Sequence, residues 1–145
     1  MIMKLFTIGY TKKSAKEMFE ILKRNNVRKV IDIRLKNANG YCFYTHKRDF
    51  SYLLSLVDIG YEHKENWAPE EWLLEGYKDK KYTWEQYVVE FHKTIERRNI
   101  LQGLDPKELD GCVLLCAEVT PQMCHRRLLA EYFKERFPEL EIVHL

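Results

Sequence analysis

The sequence predicts one three-layer α/β domain over residues 1–145, a mostly parallel sheet of four or five strands flanked by helices. Three observations carry this reading. Short apolar runs alternate with segments of helical period, the pattern of successive βαβ units. The first strand, helix and strand have the spacing of a right-handed crossover between parallel strands. A chain of 145 residues that is 46% apolar is long enough to bury one substantial core, and neither a repeat nor a second domain interrupts it.

Lys4 to Ile8 reads as the first strand, with Gly9 turning the chain behind it. Ser14 and Glu17 have capping-box spacing and open a helix whose apolar face is Met18, Phe19 and Leu22 and which ends at Asn25-Asn26. Val30 to Ile33 is the second strand. Residues 36–83 read as a loop and helical insert packed over the carboxyl edge of the sheet. Within it, a helix starts at Asp49 with Tyr52, Leu53, Leu56 and Val57 as its apolar positions and Gly60 as its stop. Tyr61 to His63 suits a short edge strand, and Glu70 to Glu75 a short helix entered through Pro69 and closed by Gly76. Thr83 and Gln86 form a second capping box, leading a helix to about Leu101. A turn-rich link then reaches the strand Cys112 to Cys116, a helix over 121–136 and a last strand, Glu141 to His144.

Net charge is +2, with both signs mixed along the chain, so no overall field argues for nucleic acid or an anionic membrane. No apolar run approaches the roughly 20 residues of a membrane span. The amino-terminal residues lack the long apolar core of a signal peptide, so a cytoplasmic location is expected. Structural disulfides among Cys42, Cys112, Cys116 and Cys124 are not expected in a reducing compartment, and Cys112 reads as core packing.

The chemistry concentrates at residues 116–127, where a buried strand turns into a helix. Cys116, Glu118, Cys124, His125 and Arg126 gather there, with Thr120 placed to cap the helix and Pro121 to begin it. In open α/β sheets that edge is where ligands sit. Three roles stay open for the cluster. Cys124 or Cys116 could be a nucleophile, His125 and Glu118 an acid/base pair, or the thiols, imidazole and carboxylate zinc ligands. Zinc is disfavoured because side chains at 124 and 125 diverge on a helix, and no metal is expected. Cys116 and Cys124 also have a plain reading as small core residues.

Asp32 and Arg34, two apart on a strand, share a face at the same edge, where a buried carboxylate needs a partner. Gly9 and Thr11 lie beside them after the first strand, so Arg34, Arg126, Thr11 and Gly9 are candidates for holding substrate. The loop from Tyr41 to Arg48 mixes aromatic and basic groups, and Tyr44, Lys47 and Arg48 would carry a nucleic-acid contact if one exists. There is no Walker loop, no GxGxxG and no Cys-x5-Arg phosphate loop, so no cofactor is expected.

With these residues in view, the chain resembles domain-of-unknown-function family 488. The resemblance rests on Thr7-Ile8-Gly9, Asp32-Ile33-Arg34, Leu114-Leu115-Cys116-Ala117-Glu118, Pro121 with Cys124-His125-Arg126, and the ending Val143-His144-Leu145. Where the family commonly has Gly-His-Ser, Arg-Ser-x-Pro and Leu-Gly-Gly, this chain has Gly9-Tyr10-Thr11, Arg34-Leu35-Lys36-Asn37 and Trp67-Ala68-Pro69. The resemblance implies an α/β fold and one shared site, and it implies no particular reaction. The leading expectation is a small enzyme acting on an anionic or nucleotide-like substrate. A nucleic-acid or nucleotide-binding module and a structural or partner-binding domain are the alternatives.

Overall fold

The computed structural model describes residues 2–36, 42–117 and 123–145. Its elements run β1 (Met3–Gly9), α1 (Ala15–Arg24), β2 (Lys29–Asp32), α2 (Lys47–Ser55), β3 (Gly60–His63), α3 (Glu71–Lys78), α4 (Trp84–Arg98), β4 (Cys112–Cys116), α5 (His125–Arg136) and β5 (Leu140–His144). The five strands form one sheet in the order β3-β2-β4-β1-β5, and every pair is parallel. This is the three-layer sandwich the alternation of elements predicts.

Period-two alternation assigns each strand residue to a layer. Phe6, Ile8, Val30, Val113 and Leu115 pack against Met18 and Leu22 of α1 and Phe50 and Leu54 of α2. Leu5, Ile31, Cys112, Leu114 and Cys116 face α3, α4 and α5 through Leu73, Tyr87, Phe91, Ile95, Leu128, Leu129 and Phe133. The middle strands are therefore covered on both sides, as parallel strands require.

The connections fix where a ligand can sit. From β1 the chain crosses by α1 to β2, in one direction along the sheet; from β4 it crosses by α5 over the other face to β5, in the opposite direction. β1 and β4 are neighbours, with Gly9 opposite Cys116 at their carboxyl ends. Adjacent strands whose loops leave to opposite faces open a crevice at that edge, the topological switch point of a doubly wound sheet.

Both capping boxes form: Ser14 with Glu17 opens α1, and Thr83 with Gln86 opens α4. Several expectations need correction. The segment 36–83 is not an insert laid over one edge, because β3 is a strand of the sheet and α2 is its crossover helix on the α1 side; α3, with Lys36 and Pro69, reaches a cavity at the carboxyl edge. On α2, Phe50 and Leu54 are buried while Tyr52 and Leu56 are 63% and 62% exposed. The i, i+4 pair that continues toward buried Ile59 sets the phase, and exposed Tyr52 and Leu56 mislead a count of apolar residues. Gly76 does not close α3 but lies inside it, where a Cβ would stand 2.2 Å from the Tyr82 ring; close packing is its reason. α4 ends at Asn99, which takes a left-handed conformation, instead of near Leu101. α5 begins at His125 with Cys124 as its cap, so the helix does not start at 121; Thr120 and Pro121 lie outside the described residues.

Candidate functional site

Cys116 is the last residue of β4, and Cys124 caps the helix that follows, so strand end and helix start hold two thiols face to face. Their sulfurs are 2.7 Å apart. The four cysteines are thiols, none in a disulfide. Arg126, two residues into the helix and fully buried, turns beneath the strand and donates from Nη1 to Cys116 Sγ at 3.2 Å. A guanidinium donor and the positive end of a helix both favour a thiolate. The Cys124 thiol is pushed up, first by its hydrogen bond with Cys116, then by burial, then by the charge on Cys116. Of the two, Cys116 is the sulfur that accepts from the guanidinium, and Cys124 is the thiol whose proton is held.

His125 lies on the other side of Cys124. Its Nε2–H donates to the carbonyl of Ile33 at 2.8 Å, which leaves Nδ1 unprotonated and 4.0 Å from Cys124 Sγ. Burial, reinforced by the Arg126 charge, lowers its pKa to about 4. At neutral pH the ring is therefore an uncharged acceptor and cannot serve as an imidazolium acid. Its bond to Ile33 ties the start of α5 to the end of β2.

Asp32 and Arg34 form the second cluster. Asp32 accepts from Arg34 Nε and Nη2, both at 2.8 Å, and from the backbone N–H of Arg34 at 3.1 Å. Thr45 accepts from the same guanidinium through its hydroxyl at 3.2 Å and its carbonyl at 2.6 Å. Tyr61 donates to Asp32 Oδ2 alongside Arg34 Nη2, His63 Nε2 meets the Arg34 carbonyl at 2.7 Å, and the Tyr10 ring lies against the guanidinium at 5.2 Å. Burial opposes the Arg34 charge, but the Asp32 hydrogen bonds and charge outweigh it and raise the Arg34 pKa. The guanidinium is thus fixed before any ligand arrives.

A cavity of about 410 Å³ opens at this edge. Cys116, Cys124, His125 and Arg34 are on its wall, with Tyr10, Tyr77 and Tyr87 as aromatic surfaces and Lys36, Lys78, Glu71 and Glu75 around it. Lys36 is paired with Glu71 at 3.1 Å. Tyr77 also reaches Met123 on the wall, its hydroxyl 3.6 Å from the sulfur.

The structure brings Cys116, Cys124, His125 and Arg34 to one cavity and leaves other candidates behind it. Asp32 is on the α1 side of the sheet edge, holding Arg34 and not lining the space. Arg126 lies under Cys116 and is not on the wall. Gly9 is buried, its carbonyl accepting from Lys13 Nζ at 2.8 Å, and Thr11 donates its backbone N–H to Ala117, so both shape the edge. Glu118 lies outside the described residues. Tyr44 is turned inward, its hydroxyl donating to the Lys13 carbonyl and its ring against Phe50, while Lys47 and Arg48 are exposed at the start of α2.

The sequence reading missed Tyr10, Tyr77 and Tyr87, and also Lys13, whose pKa is lowered by burial and then by Arg126. Tyr10 was legible, being one residue past a strand end. Tyr77 and Tyr87 come from helices whose approach only the tertiary packing reveals. Among the described residues no group of three or more Cys, His, Asp or Glu side chains could hold a metal ion, and no helix is long and apolar enough to cross a membrane. Comparison with curated proteins and with solved structures gives no match. Residues 14–133 match the family described as Domain of unknown function DUF488, and the chain belongs to that family.

Proposed function

We propose that this domain is a thiol-dependent enzyme in which Cys116 attacks the electrophilic centre of a small anionic substrate held in the switch-point cavity. One observation carries the reading: Cys116 ends a central strand on the cavity wall, with Arg126 donating to its sulfur and Cys124 in contact with it. Sulfur is a useful nucleophile only as the thiolate, and these two donors supply what a buried thiolate needs.

The remaining roles follow from position. Cys124, held protonated, solvates the thiolate and is the nearest proton donor to the reacting centre. Neutral His125 packs beside Cys124, its Nδ1 4.0 Å from the sulfur. Arg34, pinned by Asp32 and Thr45, presents a preorganised cation, and Lys78 and the Glu71-paired Lys36 stand at the wall beside it. Asp32 offsets part of the Arg34 charge, so the preference for an anion is expected to be severalfold and not absolute. The three tyrosines give a planar, apolar surface suited to the body of a nucleotide-like molecule.

Paired alkylating reagents test this. Iodoacetate is an anion and iodoacetamide its neutral analogue, and peptide mapping reports each cysteine separately. Cys116 is expected to favour iodoacetate over iodoacetamide severalfold relative to half-buried Cys42 of the same chain, and Lys36→Ala with Lys78→Ala is expected to reduce that preference. Failure of Cys116 to react in the folded protein at neutral pH overturns the nucleophile, and an unchanged reagent ratio overturns the anionic substrate.

A further inference from the structure

We infer that Cys116 and Cys124 form a reversible dithiol–disulfide couple that a hydroperoxide oxidises within the cavity. The two sulfurs are 2.7 Å apart in the reduced protein, on elements that both end at the crevice. A disulfide requires about 2.05 Å between sulfurs, so the two stand less than 1 Å beyond bonding distance. Both cysteines line the cavity, which admits a molecule as small as hydrogen peroxide. The pair is asymmetric in the way a peroxide-reacting couple requires: one sulfur accepts from the Arg126 guanidinium, and the thiol of its neighbour is pushed up. Cys112 also accepts from a guanidinium, Arg28 Nη2 at 3.3 Å, but it begins β4 at the opposite end from the cavity and its thiol donates to the Glu108 carbonyl at 3.2 Å.

The chemistry balances in two steps. The Cys116 thiolate attacks one peroxide oxygen and the O–O bond breaks; the departing hydroxide takes a proton and leaves as water, and Cys116 becomes a sulfenic acid. Cys124 sulfur then attacks the Cys116 sulfur, and the hydroxyl leaves as water with the Cys124 proton. Two thiols give up two electrons in total, and one peroxide becomes two waters. An external dithiol reverses the change by thiol–disulfide exchange. The inference stands on the sulfur geometry and holds whether or not the cavity turns over an anionic substrate.

The test uses the whole chain, reduced, freed of reductant and treated with one equivalent of hydrogen peroxide. Unfolding and alkylation of the remaining thiols, followed by peptide mapping, is expected to show two of the four cysteines lost to labelling. The peptide pair holding Cys116 and Cys124 is expected to be cross-linked and lighter by two hydrogens, and dithiothreitol is expected to restore both. Cys124→Ser is expected to stop at a sulfenic acid on Cys116, trapped by dimedone. The proposal is overturned if both thiols of the parent protein stay alkylatable after peroxide, or if the cross-link found joins Cys42 or Cys112 instead. The parent measurement decides it even if the variant does not fold.

Discussion

Asp32 is the residue on which the carboxyl edge depends. It is fully buried and makes a two-pronged pair with Arg34, and Tyr61 donates to the same Oδ2 that Arg34 Nη2 reaches. Removing one partner of such a pair leaves an uncompensated buried charge, at a cost of about 3–5 kcal/mol. Asp32→Ala is therefore expected to lower stability by that amount in urea denaturation, and Asp32→Ala combined with Arg34→Met to recover part of it. A double variant no more stable than the single one would show that the pair does not act as a unit. His125 gives a second residue-scale prediction. Its folded pKa is about 4, against the ordinary histidine value of 6.5, so between these the unfolded chain binds a proton that the folded chain does not. Stability then rises with pH across that window and is lost as pH falls through it, by up to roughly 3 kcal/mol. Denaturation midpoints at pH 7 and pH 5 should differ in that sense, and His125→Gln should flatten the difference. The Asp32–Arg34 pair was legible in sequence because charge inside an apolar run needs an explanation. Its other partners, Thr45 and Tyr61, were not, since they arrive from separate elements.

At the scale of elements, α1 and α4 announced themselves by their capping boxes, whereas the apolar count on α2 pointed to the wrong face. Ser14 and Thr83 each satisfy exposed backbone donors with an oxygen at a fixed offset, a local device needing no tertiary partner. The buried face of α2 is set instead by which side chains meet the sheet. Phe50→Ala is accordingly expected to cost about 3–5 kcal/mol, whereas Tyr52→Ser on the exposed side should fall within about 0.5 kcal/mol of the parent. Equal losses in urea denaturation would contradict the observed orientation of α2. The late start of α5 has a like origin. Thr-Pro is a favourable local opening for a helix, but the chain begins its helix at His125, where the imidazole bonds to Ile33 across the sheet edge.

For the whole molecule, the order β3-β2-β4-β1-β5 turns a list of reactive side chains into a place. The parallel sheet puts every carboxyl end on one edge, and the reversal between β1 and β4 opens that edge where Cys116 stands. The alternation of strands and helices and the concentration of chemistry near residue 125 were legible from the chain. The strand order was not, because it depends on which crossover covers which face. The division of labour between wall and support was also hidden: Arg126 reads as a substrate-binding cation in sequence and lies under the strand in space, aimed at sulfur.

That contact is the centre of the account, and the rate of Cys116 alkylation by iodoacetamide at neutral pH tests it most directly. Arg126→Met is expected to slow the reaction by about tenfold, equivalent to about 1.4 kcal/mol of lost thiolate stabilisation, with Arg126→Lys falling between the two. Equal rates at Cys116 in the parent and Arg126→Met proteins, both folded by circular dichroism, would contradict it.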